Sequence, residues 1–382
     1  MQEFPSEHAK EVSALWDAYR RGENERVPFI VACDEQVWLH VIGATFREFY
    51  TDPKVHLRAQ LEGPLWFKRN VRSDSPPGLP ERWDVGVQLW MEENDFFGCQ
   101  VLYQEDDYAW ALPFDGSKTE LLEHLDGMDV EECIKKTDAF RMFESLKGLV
   151  QDLTFEDRPI RVHPPGGSTH GLFTKAVEIR GIEQLCMDLR DDPLFVDRFL
   201  TRITDRTIER IRAWHELGHG EEHPGPNATG FHFCDDSLQL ISSEDYERFV
   251  LPHHERLYQS MTTGKRSFHV CGYAAQHFES LHRKLDVACI DGPGPFVDHA
   301  RFFERLGPQF TFIAQVDHSV VAHGTDEHVE AMMKSILSEG AKIPGRFQLE
   351  GFLDRSTPLR KIDLCYEYAK KYGRVSPKKG LP

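Results

Sequence analysis

The chain has no long hydrophobic run and no excess of basic residues. No window in its 382 residues approaches 18 uncharged apolar residues, so a transmembrane helix is not expected. Lysine and arginine number 45 against 63 aspartates and glutamates, which gives a formal charge of −18. Nucleic acid and anionic membranes are disfavoured as partners, because both are recognised by basic surfaces. A small molecule or another protein is the expected partner.

Signal-peptide and disulfide patterns are also missing. The first five residues have neither the basic nor the apolar segment of a secretory signal. The eight cysteines include no Cys-x-x-Cys pair, and such scattered cysteines are typical of reduced thiols rather than of a disulfide framework. We therefore expect a soluble, cytoplasmic protein.

Short apolar runs alternate with helical patterns through the second half of the chain. The runs occupy residues 158–163, 228–234, 267–271, 287–291, 311–316 and 346–349. Repeated β-then-α units predict a parallel sheet, and this many in succession predict a (βα)8 TIM-type barrel of the α/β class.

We expect residues 1–382 to form one such barrel domain. An N-terminal helical extension occupies about residues 1–26, before a first strand at 27–32. Between about 84 and 113 the sequence alternates as strands do, and the polar residues 104–107 separate its two halves. This pattern predicts a β-hairpin inserted near the mouth of the barrel.

The most informative short motif is the His-x-Cys pair formed by His269 and Cys271. Residues two apart on a β-strand face the same side, and an imidazole with a thiolate is a ligand pair that suits zinc. The chain contains 19 histidines and 8 cysteines, so one such triplet is not rare, and a second includes His232 and Cys234. Buried cysteine and hydrogen-bonded histidine are also ordinary core residues.

Polar residue types of the kind that bind metals occur at the ends of several predicted strands. They are Cys234, Asp235, Asp236, His269, Cys271, Asp291, Asp317, His318 and Glu350. Because the strand ends of a barrel form its active-site face, this arrangement predicts a metal site there.

Asp235 and Asp236 are candidates for a catalytic acid, although a structural pair of carboxylates fits the same pattern. The neighbouring histidines His253 and His254 are expected to lie exposed on a helix, without a role.

Several segments occur together in one order: 174–181, 235–236, 240–246, 249–252, 269–272 and 357–359. In this arrangement the chain resembles the uroporphyrinogen decarboxylase superfamily, which also contains zinc-dependent, corrinoid-linked methyltransferases. The resemblance covers most of the chain from about residue 158 and implies the same (βα)8 barrel.

Two branches of that superfamily differ in their site residues. The decarboxylase branch holds the carboxylates of its tetrapyrrole with an arginine-rich N-terminal segment, of which this chain keeps only the opening Arg-x-Pro at Arg26. The methyltransferase branch uses a His-x-Cys pair with a later cysteine. The resemblance therefore implies zinc bound by His269 and Cys271, with Glu350 near the place of the third ligand. Asp291 and then Cys234 are its rivals.

The resemblance implies a methyltransferase that moves a methyl group between a small molecule and a corrinoid (cobalamin) on a separate protein. An oxygen ligand leaves zinc a harder Lewis acid, which favours a donor such as a methyl ether. Asp235 or Asp236 would then protonate the departing group. Two alternatives stay open: a decarboxylase or other lyase of a small carboxylated substrate, with or without metal, and a noncatalytic ligand-binding barrel. A homodimer is compatible with each.

Overall fold

The computed structural model of the protein describes residues 6–294, 297–307 and 309–375. The first five residues, on which the predicted absence of a signal peptide depends, lie outside the described residues, as does the end of the predicted domain at 376–382. Of the helices in the described part of the chain, none combines the length and apolarity that crossing a membrane requires.

The strands are short and spread along the whole described chain. They are β1 (Phe29–Cys33), β2 (Trp83–Gly86), β3 (Val101–Leu102), β4 (Trp110–Ala111), β5 (Thr154–Phe155), β6 (Arg158–His163), β7 (Gly230–Cys234), β8 (Lys265–His269), β9 (Val287–Asp291), β10 (Thr311–Gln315) and β11 (Phe347–Leu353).

Helices occupy most of the connections between the strands. They are α1 (Ser6–Arg21), α2 (Glu35–Ile42), α3 (Phe46–Thr51), α4 (Pro53–Asn70), α5 (Glu92–Phe96), α6 (Lys118–Asp126), α7 (Val130–Lys136), α8 (Asp138–Leu149), α9 (Leu172–Arg180), α10 (Ile182–Asp191), α11 (Pro193–His219), α12 (Ser243–Asp245), α13 (Leu251–Met261), α14 (Phe278–Leu285), α15 (His299–Leu306), α16 (His318–His323), α17 (Asp326–Gly340) and α18 (Leu359–Tyr372). Tyr246–Val250 forms a π-helical turn, while Asp236–Leu240 and Ala275–His277 form 3₁₀ turns.

Six parallel strands form one curved sheet in the order β1-β11-β10-β9-β8-β7. A second sheet contains β2 and β6, which pair in parallel, and β5, which is antiparallel to β6. The α/β class and the parallel order are confirmed for this six-stranded half-barrel. An eight-stranded closure stays a prediction.

The strand alternation separates a helix-facing layer from a site-facing layer. On β7, Phe233 is fully buried and packs against Tyr258 of α13 and Phe268 of β8. Because neighbouring residues on a strand point to opposite faces, His232 and Cys234 face the other side of the sheet. The side of β7 that faces the helices thus carries aromatic core residues, and the opposite side carries the imidazole and the thiol.

The predicted hairpin is present only as the two-residue antiparallel strands β3 and β4. The first half of the alternating segment does not form one continuous strand, because Glu92–Phe96 forms helix α5 and Phe97 is buried beside it. Alternating apolar residues therefore marked a helix and turn before the hairpin rather than a longer strand.

Candidate metal centre

The site is formed where β7, β8 and β9 end side by side. Cys234 is in register with His269, and His269 is in register with Asp291. The backbone continues this pairing beyond the strands: the Asp235 N–H donates to the His269 carbonyl at 3.0 Å, and the Val270 N–H donates to the Asp291 carbonyl at 3.1 Å. Carboxyl ends of parallel strands thus bring residues that are distant in sequence to one edge.

His269, Cys271 and Asp236 form a compact group of three metal-ligand types. Nε2 of His269 lies 3.0 Å from Sγ of Cys271 and 3.7 Å from Oδ1 of Asp236. Their ligand atoms all lie within 4.8 Å of one another. The backbone N–H of Cys271 donates to Oδ1 of Asp236 at 2.7 Å, which orients that carboxylate toward the pair.

Asp291 holds His269 from the opposite side of the ring. Its Oδ2 lies 2.9 Å from Nδ1 of His269. Burial acts to lower the pKa of His269, but the hydrogen bonds to Asp291 and Cys271 outweigh burial and raise that pKa to about 11. Nδ1 is therefore engaged by a carboxylate while Nε2 faces the other two members of the group.

This donor set fits zinc. In tetrahedral sites with Zn–N of about 2.0–2.1 Å and Zn–S of about 2.3 Å, neighbouring donor atoms lie roughly 3.3–3.8 Å apart. The 3.0 and 3.7 Å separations from Nε2 need only small side-chain shifts to reach that spacing. A thiolate and a carboxylate balance the charge of a divalent ion, and a carboxylate on the second nitrogen of the histidine is a common support for zinc ligands.

The other predicted third ligands lie around this group rather than in it. Glu350 on β11 accepts a hydrogen bond from Nε2 of Gln315 at 3.1 Å. Burial and the charge of Asp291 raise the pKa of Glu350, whereas the charge of His269 lowers the pKa of Glu350. In the sheet order, β9 and β10 separate its strand from β8. Cys234 lies on the adjacent strand β7, and burial raises the pKa of its thiol well above the usual range.

Asp235 points away from the group into a closed set of donors. Its side chain is fully buried, and it accepts from the backbone N–H groups of Phe173 and Thr174 at 2.9 and 2.8 Å. Nε2 of His254 lies 2.9 Å from its Oδ2. The carboxylate therefore caps the start of α9. Its neighbour Asp236, with a side chain 44% exposed, lies on the open side.

The expectation for His253 and His254 was wrong. They are 8% and 0% exposed, because α13 turns both against the core. His254 supports Asp235, as described above, and Nδ1 of His253 lies 3.1 Å from Oγ1 of Thr204. The sequence did carry a signal for this burial, since Leu257, Tyr258 and Met261 follow His254 at helical spacing and mark the buried face of α13.

The position of Asp236 could have been found from register. β7 and β8 are adjacent and parallel, and Cys234 pairs with His269. Moving two residues along both strands places Asp236 beside Cys271. The two His-x-Cys triplets of the sequence thus lie at the ends of neighbouring strands, and Asp236, the second residue after Cys234, supplies the carboxylate that completes the group with His269 and Cys271.

Comparison with known proteins finds similarity to methyltransferases. A curated relative, the methylated-thiol–coenzyme M methyltransferase of Methanosarcina mazei, is 24% identical over 176 residues, which are 45% of this chain and 44% of the relative. The match thus spans less than half of that protein's length. A solved methyltransferase structure from Methanosarcina mazei has the same fold, with a TM-score of 0.62 at 14% identity over 94% of this chain and 98% of that one.

The family profile described as uroporphyrinogen decarboxylase (URO-D) matches residues 141–350, which is more than half of the 382-residue chain. That range contains α9 and its cap Asp235, all of β6 to β10, and the group formed by Asp236, His269 and Cys271. The chain belongs to the uroporphyrinogen decarboxylase (URO-D) family.

Proposed function

We propose that this protein is a zinc-dependent methyltransferase that moves a methyl group between a small molecule and a corrinoid carried by a separate protein. The observation that carries the proposal is the group of Asp236, His269 and Cys271 at adjacent strand ends. The proposal is also supported by the similarity of this chain to a relative that is named as a methyltransferase. A methyl ether is among the candidate donors.

In this proposal zinc is held by Nε2 of His269, the thiolate of Cys271 and the carboxylate of Asp236. When bound, zinc supplies Lewis acidity toward the heteroatom that carries the methyl group. Glu350 stays the alternative to Asp236 as third ligand, and three protein ligands would leave one position of the metal open to the substrate. Asp291 keeps Nδ1 of His269 occupied, so that Nε2 is the nitrogen offered to the metal.

The two predicted acids receive different roles. Asp235, buried with four donors around it, is proposed to position the strand end, because a closed carboxylate cannot reach a substrate. Asp236 is either a zinc ligand or the acid that protonates a departing group, and zinc content of an Asp236→Asn variant separates these roles.

The remaining architecture is part of the same proposal. The six strands of the curved sheet and the parallel pair β2·β6 together supply eight parallel strands among the described residues. We propose that they complete one (βα)8 barrel domain, with an N-terminal extension over about 1–26 and the hairpin region 84–113 as an insertion. The eight free cysteines suit a cytoplasmic location.

Two measurements test the function. Elemental analysis of untagged protein should find one zinc per chain, and none in the His269→Ala, Cys271→Ala double variant whose far-ultraviolet circular dichroism is unchanged. Zinc-loaded protein should then consume cob(I)alamin with at least one donor from a panel of methoxy, methylamine and methylthiol compounds.

The outcome of these measurements also selects between the alternatives. Zinc without methyl transfer from any donor favours a noncatalytic binding barrel. Protein without zinc that releases carbon dioxide from a small carboxylated substrate favours the lyase. Retention of zinc by the double variant contradicts the metal site itself.

A further inference from the structure

A cavity of about 400 Å³ opens beside the metal centre. Residues that follow β2 and β6 form its walls, among them Leu89, Trp90 and His170, and the side of β7 that carries His232 and Cys234 completes it. Cys234 is in register with His269 on the next strand. A molecule in this cavity therefore lies one strand away from the proposed zinc.

The cavity wall carries more acidic than basic side chains. Its charged lining residues are Glu35, Glu92, Glu93 and Arg210. The guanidinium of Arg210 is already engaged: it donates to Glu92 at 2.9 Å, to the Ser168 carbonyl at 2.9 Å, and lies 3.1 Å from Glu93. Only its Nε has no acceptor among the described residues. Because Arg210 already contacts two carboxylates, it is not available to balance the charge of an anionic ligand.

Glu35 contributes a carboxylate that no side-chain cation neutralises within the described residues. It is 5% exposed, and its side chain accepts a hydrogen bond from the indole N–H of Trp90 at 3.4 Å. Burial raises the pKa of Glu35 to about 7, with a contribution from the charge of Asp34. A cation beside this carboxylate would be stabilised by it, whereas an anion would be repelled.

An aromatic surface lies next to that carboxylate. The rings of Trp90 and His170 stack at a centroid distance of 5.5 Å and an interplanar angle of 16°, and Tyr108 contacts Trp90 edge-on at 5.9 Å. Burial lowers the pKa of His170, so its ring is neutral near pH 7 and does not repel a cation. Trp90 remains 40% exposed, which leaves indole surface available to a ligand.

We propose that this cavity binds a small methylated onium cation, a quaternary ammonium or a sulfonium, and that this cation is the methyl donor; the second half of the inference rests on the proposed function. Aromatic faces combined with carboxylates are the usual recognition surface for such cations. In the transfer, the carbon–nitrogen or carbon–sulfur bond breaks and leaves its electron pair on the heteroatom. The electron pair of the reduced corrinoid forms the new bond to the methyl carbon, so no proton is required. Because a quaternary nitrogen has no free electron pair until its bond to the methyl carbon breaks, zinc would act on the departing amine rather than on the bound cation.

Calorimetric titration of the full-length, zinc-loaded protein tests the binding step with three probes. They are choline, its uncharged carbon isostere 3,3-dimethylbutan-1-ol, and the anion ethanesulfonate. Choline should bind about tenfold more tightly than the isostere, the preference that a desolvated cation–π and carboxylate site typically gives. Ethanesulfonate should bind most weakly.

Variants assign the preference to named residues. Glu35→Gln should lower choline affinity several-fold with little effect on the isostere, and Trp90→Leu should weaken both. The matched controls Glu123→Gln and Trp110→Leu change an exposed acid and an exposed indole that do not line the cavity, and should bind choline as the wild type does. Circular dichroism of each variant excludes unfolding as the cause.

Equal affinity for choline and its isostere, tighter binding of ethanesulfonate, or no binding of choline overturns the cation site. Because binding needs no turnover, its result is separate from the methyl-transfer assay. Choline binding in a protein that transfers no methyl group contradicts the proposed function and keeps the cation site. Methyl transfer from neutral donors alone, without choline binding, supports the proposed function and contradicts the cation site.

Discussion

Nδ1 of His269 lies 2.9 Å from Oδ2 of Asp291 on the adjacent strand, while Nε2 of the same ring lies 3.0 Å from Sγ of Cys271. The two nitrogens of one imidazole therefore have different roles, one fixed by a carboxylate and one directed at the metal-ligand group. Register between β8 and β9 produces this relationship, because His269 and Asp291 are paired residues.

Asp291→Ala should weaken zinc binding about 10- to 100-fold, the usual effect of removing a carboxylate behind a histidine ligand. The matched variant Asp291→Asn keeps a hydrogen-bond acceptor for Nδ1 and should lose less. Competition with a chromophoric chelator measures both affinities. An Asp291→Ala protein that holds zinc as tightly as the wild type would show that the ring is oriented by something else.

Asp236→Asn should lower zinc affinity more than Glu350→Gln does. The reason is distance. Oδ1 of Asp236 lies 3.7 Å from Nε2 of His269. Glu350 lies on β11, which β10 and β9 separate from β8, and it is hydrogen-bonded to Gln315. The same chelator competition ranks the two variants. The opposite order would assign the third ligand to Glu350 and leave Asp236 as the acid.

The sequence was informative where a local pattern decides the structure. Strands β6 at Arg158–His163 and β9 at Val287–Asp291 lie where the apolar runs predict them. Apolar alternation also predicts which residues of β7 face the helices, since Phe233 enters the core.

What the local pattern could not supply was register and burial of polar groups. Nothing near Asp236 in sequence indicates that Cys271 would donate to it at 2.7 Å, because that contact depends on how two strands align. The same holds for the contact between His254 and Asp235. A helical pattern does not reveal that His254 has this buried partner.

The buried side chain of His56 is expected to lower the free energy of unfolding in acid. Its side chain is fully buried, and burial lowers its pKa to about 4, below the unfolded value of about 6.5. The unfolded chain therefore binds the proton first, and this histidine lowers the free energy of unfolding as the pH falls from 6.5 toward 4. At pH 5 the loss is on the order of 1–2 kcal/mol.

A His56→Gln variant should therefore show a shallower decline of stability between pH 7 and pH 5 than the wild type, measured by denaturant unfolding at each pH. His323→Gln, on an exposed position of α16, is the control and should keep the wild-type slope. Identical slopes for wild type and His56→Gln would remove His56 from the acid response.

Arg210 should be important for stability as well as for the charge of the cavity. It is 1% exposed and lies between the buried carboxylates of Glu92 and Glu93. Arg210→Leu removes the guanidinium that contacts both buried carboxylates and should cost about 3–5 kcal/mol. Arg58→Ala, which breaks an exposed pair with Glu62, should change stability by less than about 0.5 kcal/mol. Urea unfolding followed by circular dichroism measures the free energy of unfolding of both variants. Equal losses of stability in the two variants, within experimental error, would contradict the buried network.

The protein should not decarboxylate uroporphyrinogen, although it belongs to the family of that name. Several carboxylates on one tetrapyrrole require several free cations. Arg26, the arginine that opens the corresponding segment, is occupied: its two terminal nitrogens donate to the buried Asp74 at 2.6 and 2.7 Å. No other arginine or lysine occurs from residue 27 to residue 46.

Anaerobic incubation with uroporphyrinogen, followed by chromatography of the oxidised porphyrins, should therefore show only the octacarboxylate, while an authentic decarboxylase in a parallel reaction shows the stepwise products. Arg26→Lys separates structure from substrate binding, because it breaks the two-bond geometry with Asp74. It should lower stability and leave the tetrapyrrole result unchanged. Products with fewer carboxylates in the wild-type reaction, lost in Arg26→Lys, would mean that Arg26 leaves Asp74 to bind substrate, and the decarboxylase alternative would then replace the methyltransferase.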